Sequence, residues 1–280
     1  MHPVYVYIKK ELSPFYAEEE ASAMAKWISS DILHLSTLEL YTGKDMNFST
    51  KEWAELEDIL RRLKQREPLQ YILQEASFCG RSFHVEQGVL IPRPETEELV
   101  EWIVSDYRKA GQVRILDIGT GSGCIPVSLA QLLPEAQVSS CDVSTEALRI
   151  AAMNVKRYGD KVTLFCADIL KEELPECQVD VLVSNPPYIT ESERTDMEAN
   201  VLDWEPELAL FVPDSDPLRF YRRIAWKGLD WLSEEGALYF EINRAYGAET
   251  VRMLEELGYR QIELRKDLSG NDRMIKAIRP

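Results

Sequence analysis

The spacing of apolar residues divides the chain into a helical first part and a longer part in which strands and helices alternate. Within residues 1–75 the apolar positions recur at helical spacing. Residues 49–67 show this most clearly, and Ser49 and Glu52 at their start have the spacing of a capping box. The apolar stripe there consists of Trp53, Leu56, Ile59, Leu60 and Leu63. We therefore predict a small helical domain, with a further helix around residues 18–33.

Residues 68–94 instead alternate between apolar and polar positions around Gly80 and Gly88, which is typical of a β-hairpin. Pro92 and Pro94 then mark a boundary, because proline interrupts regular structure. The predicted organisation has three parts: a helical, partner-binding domain over 1–75, a β-hairpin linker over 76–92 and a larger domain over 93–280.

From residue 93 onward, short apolar strands alternate with amphipathic helices. The strand segments are VRILDIG (113–119), AQVSSCDV (136–143), VTLFCAD (162–168), VDVLVSN (179–185), ALYFEIN (237–243) and two closing strands. This alternation predicts the α/β class, with a doubly wound, mostly parallel, seven-stranded sheet. In such a sheet ligands bind at the carboxyl ends of the strands, near the point where the strand order reverses.

The first strand of this sheet leads into the glycine-rich segment DIGTGSG (117–123), and a helix follows. Glycines allow the tight turn, and the N-terminus of the helix offers unpaired N–H groups to a ligand. The spacing differs from the G-x-G-x-x-G of dinucleotide sites. Asp117, just before the loop, suits a cofactor with a charged amine better than one with a pyrophosphate. The predicted cofactor loop comprises Asp117, Gly119, Thr120, Gly121, Ser122 and Gly123.

Acidic residues end the next two strands. Asp142 follows the second strand, where a carboxylate can accept hydrogen bonds from ribose hydroxyls. The alternative for Asp142 is a plain helix N-cap, because Ser144 and Thr145 follow it. Asp168 ends the third strand, where an adenine amino group could be bound. Together with the glycine loop, the two aspartates indicate a nucleoside-type cofactor.

The fourth strand runs directly into Asn185, Pro186, Pro187 and Tyr188. The prolines have no N–H and keep the chain extended. The side-chain oxygen of Asn185 and the carbonyl of Pro186 are therefore acceptors without a local donor, and they suit a planar –NH₂ group. Tyr188 can stack on a planar amide or base. The alternative is a cis-proline or a tight structural turn, since Asn-Pro dipeptides are frequent in turns.

Charge and composition limit the kinds of partner that the protein can bind. The net charge is −16, from 48 acidic and 32 basic residues, and no basic stripe is visible, which argues against a long nucleic-acid footprint. No apolar run reaches the ~20 residues of a membrane helix. The start of the chain lacks the features of a signal peptide, so we expect a cytoplasmic protein.

The cysteines are five in number and show no CxxC spacing. We interpret them as small core residues in a reducing compartment, and we expect neither disulfides nor a metal site. They are Cys79, Cys124, Cys141, Cys166 and Cys177.

The motifs DIGTGSG, CDVS, CAD and SNPPY resemble those of class I S-adenosylmethionine-dependent methyltransferases that act on planar nitrogens. A closer resemblance is to the glutamine-N5 methyltransferases of peptide chain release factors. It rests on EPLQYIL (67–73), VLIPRPETEELV (89–100), SNPPYI (184–189), EPELALF (205–211) and DLSGNDR (267–273). The resemblance implies a Rossmann-like methyltransferase domain, S-adenosyl-L-methionine as cofactor, and methyl transfer to the glutamine of the release factor's Gly-Gly-Gln loop.

The same resemblance implies roles for individual residues. Residues 119–123 would hold the methionine part of the cofactor, Asp142 the ribose, and Asp168 with Ile169 the adenine. The residues that would hold the substrate amide are Asn185, Pro186, Pro187 and Tyr188. Of these, Asn185, Pro186 and Tyr188 would be catalytic, and Asn185 would also touch the cofactor. The wall of the pocket would be closed by Arg93, Glu95 and Thr96. The N-terminal helical domain would help to bind the release factor, and we expect the enzyme to be a monomer.

Three features depart from the family pattern. The family pattern at EINRAYG (241–247) would be EIG followed by a glutamine. Asn243 stands in place of the glycine, and Tyr246 stands in place of the glutamine. Gln74 stands where glycine is more usual, and Ile169 where an aromatic residue often follows the aspartate. None of these departures affects Asn185 or the glycine loop, so the expected type of reaction is unchanged.

Two other functions stay open at this point. An N6-adenine DNA or RNA methyltransferase would need the same acceptors for an exocyclic amine, but also base flipping and a basic groove. A cofactor-binding scaffold without turnover would not need the NPPY motif. None of the three histidines, His2, His34 and His84, lies in a site motif. We therefore expect positioning of the substrate to matter more than proton abstraction.

Overall fold

The computed structural model describes residues 1–43, 48–171 and 178–280. The chain forms two compact units. Unit 1 consists of Met1–Leu73 and Ala199–Trp204, and unit 2 consists of Gln74–Glu198 and Glu205–Pro280. Cys177, one of the five cysteines interpreted above, lies outside the described residues.

Unit 1 is helical. Its helices are α1 (Pro3–Leu12), α2 (Glu18–Trp27), α3 (Thr37–Thr42), α4 (Thr50–Lys64), α5 (Leu69–Leu73) and α9 (Ala199–Trp204), and a π-helical turn (Ile28–Ile32) continues α2. The predicted capping box is present at the start of α4: the Ser49 N–H donates to Glu52 Oε2 (2.6 Å), and the Glu52 N–H donates to Ser49 Oγ (3.2 Å). Leu56, Ile59, Leu60 and Leu63 pack into the core of this unit.

The predicted apolar stripe is wrong at Trp53, whose exposed fraction is 39%. The indole instead meets the rings of Tyr7 and Phe48 edge-on, with centroid distances of 5.8 and 6.0 Å. An indole can cover neighbouring rings at the rim of a core while its polar edge stays in water. Trp53 therefore ends the stripe at the surface.

Unit 2 contains the predicted hairpin, β1 (Ala76–Phe78) and β2 (Arg81–Phe83), and the main sheet. The sheet strands are β3 (Arg114–Ile118), β4 (Gln137–Asp142), β5 (Val162–Cys166), β6 (Val179–Ser184), β9 (Leu232–Glu241), β10 (Arg260–Lys266) and β11 (Asp272–Ile278). Their order is β10-β11-β9-β6-β3-β4-β5, and only β11 runs antiparallel to the others. The predicted seven-stranded, mostly parallel α/β sheet is confirmed. Two short strands, β7 (Ile189–Thr190) and β8 (Phe211–Val212), form a separate parallel pair.

The remaining helices belong to unit 2. They are α6 (Pro94–Tyr107), α7 (Cys124–Leu132), α8 (Thr145–Arg157), α10 (Glu207–Leu210), α11 (Arg219–Trp231) and α12 (Gly247–Glu256), with 3₁₀ turns at Glu191–Asp196 and Arg244–Tyr246. Successive side chains of a strand point to opposite faces of the sheet. Val181 and Val183 of β6 accordingly join the core that includes α6 and α7, whereas Leu182 joins the core that includes α11 and α12.

Gln74, one of the departures from the family pattern, has φ = 54°. This is the left-handed region, which costs a residue with a Cβ of the order of 1 kcal/mol. The conformation explains why glycine suits this position.

The interpretation of the cysteines holds for some of them. Cys124 and Cys141 are buried, and Cys79 is half-buried. The expectation of a core position is wrong for Cys166, which is exposed because it lies on β5, at the edge of the sheet. In the part of the chain that is described, no helix combines the length and the apolar character needed to cross a membrane.

Gly228 in α11 provides a test of the packing between this helix and the sheet. A Cβ atom there would lie 2.4 Å from the Tyr259 hydroxyl oxygen and 3.3 Å from Leu182 Cδ2. We expect Gly228→Ala to lower the free energy of unfolding by about 1–3 kcal/mol through overpacking, although alanine is the better helix former by roughly 0.5–1 kcal/mol. Urea unfolding measures the change, and adding Tyr259→Phe should restore part of it. A Gly228→Ala protein as stable as the wild type would contradict the described packing.

Candidate active site

Strands β3, β6 and β9 of the sheet end in register with one another. Ile118 of β3 pairs with Ser184 of β6, and Ser184 pairs with Phe240 of β9. The chain order reverses between β3 and β6, since β4 and β5 lie on one side of β3 and β6 lies on the other. The glycine loop and the NPPY segment therefore leave the sheet side by side at the switch point, where α/β sheets bind ligands.

The glycine loop forms the predicted tight turn. The N–H groups of Gly119 and Thr120 both donate to the carbonyl of Cys141, at 2.8 and 3.0 Å. The Gly121 N–H donates to Asp142 Oδ2 at 2.9 Å. Gly119 and Gly121 have φ values of 84° and 52°, and a Cβ on either would meet no atom within 4 Å. The loop thus leaves open space above the backbone, where a ligand can approach closely.

Helix α8 holds this loop from below. The α carbon of Ala151 would lie 3.3 Å from a Cβ on Gly123, whose φ is 82°. The buried Asn154 donates its side-chain amide to the carbonyls of Ser122 (2.8 Å) and His84 (2.9 Å). Asn154 and Ala151 were not predicted as supports of the site, because their partners are distant in sequence.

Asp117 lies beneath the loop, buried, and does not line the cavity described below. Its Oδ2 accepts a hydrogen bond from Ser140 Oγ at 2.6 Å. Burial raises the pKa of Asp117 to about 7; the bond from Ser140 opposes this shift, and the nearby carboxylate of Asp142 adds to it. The Asp117 carboxyl group therefore stays protonated to a higher pH than an exposed aspartate does.

Asp142 is at the predicted position, in the wall of the cavity. Its Oδ2 accepts from Gly121, and its Oδ1 accepts from the Ser144 N–H at 2.9 Å. The alternative of a helix N-cap is wrong, since α8 is capped by Ser144, whose Oγ accepts from the Ala147 N–H at 3.1 Å. Burial raises the pKa of Asp142, while the backbone donors oppose that shift.

Asp168 and Ile169, which follow β5, line the same cavity. Asp168 Oδ1 accepts from the Leu170 N–H at 2.9 Å. The Ile169 carbonyl accepts from the Arg223 guanidinium at 2.9 Å, which fixes the backbone at this point. The cavity thus combines a carboxylate and an aliphatic side chain at the end of β5.

The NPPY segment leaves β6 with all of its peptide bonds trans, so the alternative of a cis-proline is wrong. Asn185, Pro186 and Pro187 line the cavity. Tyr188 is not among the lining residues: its ring packs against the core, and its hydroxyl donates to Glu241 Oε1 at 3.2 Å. Burial is the main reason that the pKa of Tyr188 is raised far above its usual range.

A hydrogen-bond chain links Asn185 to two buried residues. The Asn185 Nδ2 donates to Thr96 Oγ1 at 3.2 Å, and Thr96 Oγ1 donates to Glu241 Oε2 at 2.6 Å. Among the described residues, the Asn185 Oδ1 atom has no hydrogen-bond partner. Burial raises the pKa of Glu241, an effect that the bond from Thr96 and the charge of Arg273 oppose.

Arg93 and Thr96 line the cavity as expected, whereas Glu95 does not. The Arg93 guanidinium donates to Glu205 Oε1 at 2.6 Å, and the other oxygen of this buried carboxylate accepts from the Ile91 N–H at 3.1 Å. Glu205 therefore fastens the EPELALF segment (205–211) to the segment before α6. The motif was recognised in the sequence, but no role was predicted for Glu205.

Asn243, another departure from the family pattern, also holds this region. Its side-chain amide donates to the Tyr188 carbonyl at 3.1 Å and to Glu193 Oε2 at 2.9 Å. The end of β9 thus supports the NPPY segment through Glu241 and through Asn243.

Most of the predicted site residues share one cavity. Those that line it are Arg93, Thr96, Gly119, Thr120, Gly121, Ser122, Asp142, Asp168, Ile169, Asn185, Pro186 and Pro187. Those that do not are Glu95, Asp117, Gly123 and Tyr188. The cavity also has an apolar wall that was not predicted from the sequence, formed by Leu208, Ala209, Phe220 and Ile224. The apolar face of α11 was a signal for Phe220 and Ile224, whereas Leu208 and Ala209 lie on α10, within the EPELALF segment.

The cavity suits an amphipathic nucleoside better than a metal ion. Among the described residues that line it, none is a histidine. Over residues 1–43, 48–171 and 178–280, no three His, Cys, Asp or Glu side chains are grouped so that they could hold a metal. The cavity combines a glycine loop, a carboxylate at the end of β4 and an aliphatic wall.

Comparison with known proteins agrees with this geometry. The sequence matches the family described as the PrmC N-terminal domain over residues 6–73 and the methyltransferase small domain over residues 96–203. It is 50% identical to the release factor glutamine methyltransferase of Bacteroides thetaiotaomicron, covering 100% of both chains. It is 43% identical to that of Flavobacterium psychrophilum, covering 95% of this chain and 94% of the relative.

Solved structures share the fold. A methyltransferase from Pyrococcus furiosus matches with a TM-score of 0.51 at 15% identity, covering 82% of this chain and 98% of that one. The hMettl16 catalytic domain, in a complex with a 3′UTR hairpin, matches with a TM-score of 0.57 at 16% identity, covering 85% and 84%. At such low identity the likeness establishes the methyltransferase fold and nothing more.

The raised pKa of Asp117 can be tested by measuring how stability depends on pH. A carboxyl group with a pKa of about 7 when folded and about 3.9 when unfolded destabilises the fold increasingly as pH rises between these values. We expect the stability of Asp117→Asn relative to wild type to rise by up to about 1.4 kcal/mol per pH unit from pH ~4 to ~7, and to level off above. Urea unfolding at pH 4.5–8.5 measures this difference.

The control is Asp180→Asn, because the bond from Arg114 lowers the pKa of Asp180 to about 2. Asp180 stays ionised throughout the measured range, so its effect on stability should not vary with pH. A pH-independent difference for Asp117→Asn as well would contradict the raised pKa.

Proposed function

Because this chain belongs to the release factor glutamine methyltransferase family, we propose that it methylates the side-chain amide nitrogen, N5, of the glutamine in the Gly-Gly-Gln loop of peptide chain release factors. The observation that carries the proposal is the state of the Asn185 carboxamide. Its nitrogen is engaged by Thr96, so its oxygen is the acceptor available at the cavity. A substrate amide is a matching donor, because its –NH₂ group has two N–H bonds to place.

We propose S-adenosyl-L-methionine as the methyl donor. When bound, it supplies an electrophilic methyl group on a sulfonium. Residues 119–123 would hold its methionine part, Asp142 its ribose hydroxyls, and Asp168 with Ile169 its adenine. Each Asp142 oxygen accepts one backbone N–H and retains a lone pair, so the carboxylate can also accept from a ribose.

The chain's own residues act mainly by orientation. An amide nitrogen is a weak nucleophile, because its lone pair is delocalised into the carbonyl. In the proposed mechanism, Asn185 Oδ1 and the Pro186 carbonyl each accept one N–H of the substrate amide and direct its nitrogen toward the glycine loop. The same two oxygens stabilise the positive charge that develops on the nitrogen.

The sizes of the two effects favour positioning of the substrate over general-base catalysis. Alignment in a reactive geometry can supply up to about 7–11 kcal/mol of a barrier. A general base contributes roughly 10²–10⁴-fold, which corresponds to about 3–5 kcal/mol. Among the described residues, the carboxylates of the cavity wall are Asp142 and Asp168, which lie at the proposed cofactor positions and not beside Asn185. Fixed acceptors are therefore the main catalytic device.

An N6-adenine methyltransferase is the second candidate, since an exocyclic amine would use the same two acceptors. The charge of −16 opposes it, because binding to a nucleic-acid backbone depends on clustered lysine and arginine. The match of residues 6–73 to the PrmC N-terminal domain favours the release factor. We propose that unit 1 contacts this protein substrate, and that the reaction takes place in the cytoplasm, where release factors act.

A labelling experiment separates the candidates. The full-length protein is incubated with methyl-labelled S-adenosylmethionine and, in parallel, with a release factor, DNA or RNA. We expect label on the release factor and its loss when the glutamine of the Gly-Gly-Gln loop is replaced by alanine. Label on nucleic acid, or on the release factor without that glutamine, would overturn the proposal.

Asn185→Ala removes the acceptor that carries the proposal. We expect kcat to fall by about 10²–10³-fold, as for the loss of one fixed hydrogen bond to a transition state, with the Kd for S-adenosylmethionine within about threefold of wild type. The control is Gln137→Ala, which removes an exposed amide at the far end of β4 and should change neither value. Equal loss of cofactor affinity and kcat in Asn185→Ala would show that Asn185 has a structural role.

A further inference from the structure

Glu241 lies at the end of β9, level with Asn185, because the preceding residues Phe240 and Ser184 are paired. Only 1% of Glu241 is exposed. Its two carboxylate oxygens accept from the Thr96 and Tyr188 hydroxyls. We propose that Glu241, acting through Thr96, is a positioning residue that makes the oxygen of the Asn185 carboxamide, and not its nitrogen, face the substrate. This inference rests on the proposed function and adds to it.

The number of hydrogens available to Thr96 decides which atom of Asn185 it can contact. A threonine hydroxyl has one hydrogen, and an ionised carboxylate can only accept hydrogen bonds. The 2.6 Å contact between Thr96 Oγ1 and Glu241 Oε2 therefore uses the Thr96 hydrogen. The Thr96 oxygen can then only accept from Asn185, and the atom of Asn185 that can donate to it is Nδ2. With the nitrogen held by Thr96, the oxygen is left for the cavity.

Protonation of Glu241 would remove this constraint. A protonated Glu241 can donate to the Thr96 oxygen, and the Thr96 hydroxyl can then donate to Asn185 Oδ1. Rotation of the carboxamide by about 180° would satisfy these bonds equally well and would turn the Asn185 –NH₂ toward the substrate. Two –NH₂ groups would then face each other, and the substrate amide would lose its acceptor. Ionised Glu241 thus selects the reactive orientation.

The surroundings of Glu241 contain several polar groups besides Thr96. Arg273 on β11 favours the ionised form, and Glu95 on α6 opposes it. The hydroxyls of Tyr188 and of Tyr221 on α11 lie close enough to interact with it. Burial outweighs the favourable contacts, so the pKa of Glu241 is raised above its ordinary value. We expect kcat to fall as the pH is lowered through this pKa, because the protonated form no longer fixes Asn185.

Two substitutions at Thr96 test the chain of bonds. Thr96→Val keeps the shape of the side chain and removes the hydroxyl, whereas Thr96→Ser keeps the hydroxyl. We expect kcat to fall at least tenfold in Thr96→Val and to stay within threefold of wild type in Thr96→Ser. The Kd for S-adenosylmethionine should stay within threefold in both. A Thr96→Val enzyme with kcat within threefold of wild type would overturn the inference.

Glu241→Gln tests the charge itself. Glutamine does not titrate, so the acid-side fall of kcat in the wild type should be absent in this variant. Its kcat should also be lower than that of the wild type at neutral pH, because the glutamine amide can donate to Thr96 and permit the rotated carboxamide. Superimposable pH profiles for wild type and Glu241→Gln would overturn the inference.

A spectroscopic measurement decides the question independently of methyl transfer. Protein labelled with ¹⁵N-asparagine gives a side-chain amide signal for Asn185, which is assigned by its loss in Asn185→Ala. We expect this signal to shift with pH in the wild type and to be insensitive to pH in Glu241→Gln and Thr96→Val. The same titration in all three proteins would overturn the positioning role even if release factor is methylated. The expected pattern without methylation of a release factor would overturn only the proposed function.

Discussion

Parallel pairing between β3, β6 and β9 sets the height at which the functional segments leave the sheet. Ile118, Ser184 and Phe240 lie in one row, so Gly119, Asn185 and Glu241 begin at the same level. A shift of one residue would turn every side chain of a strand to the opposite face. Both faces of the sheet are packed, so such a shift would exchange the side chains that fit each closely packed core. The register, and with it the geometry of the site, is therefore fixed by hydrophobic contacts well away from the cavity.

The sequence predicted those parts of the molecule that depend on local signals. Strand periodicity, the glycine loop and the prolines after Asn185 each lie within a few residues, and they led to the correct sheet and to most of the cavity wall. Glu241 and Glu205 received no role because their partners Thr96 and Arg93 are 145 and 112 positions away. Tyr188 was expected to stack on the substrate, but a phenol has an apolar ring and a polar tip, and here both are used inside the protein.

Glu205, Glu241 and Asp117 lie buried in or beneath the wall of this cavity, and each carboxyl group is accommodated differently. Glu205 forms an ion pair with Arg93. Glu241 accepts from two hydroxyls with Arg273 nearby. Asp117 accepts a hydrogen bond from the Ser140 hydroxyl, and the pKa of Asp117 is about 7. Buried carboxylates without full compensation destabilise a fold, so this part of the molecule is organised around polar geometry at some expense in stability.

Because Ala199–Trp204 belongs to unit 1, no single cut in the chain separates the two units. The chain passes from one unit to the other after Leu73, again after Glu198 and again after Trp204. A fragment that starts at Gln74 would carry a six-residue insert deprived of the helices with which it belongs. Exchange of the N-terminal module between relatives by a single recombination event would likewise leave a mismatched insert. A deletion or exchange that keeps each unit whole must therefore include both stretches of unit 1, Met1–Leu73 and Ala199–Trp204.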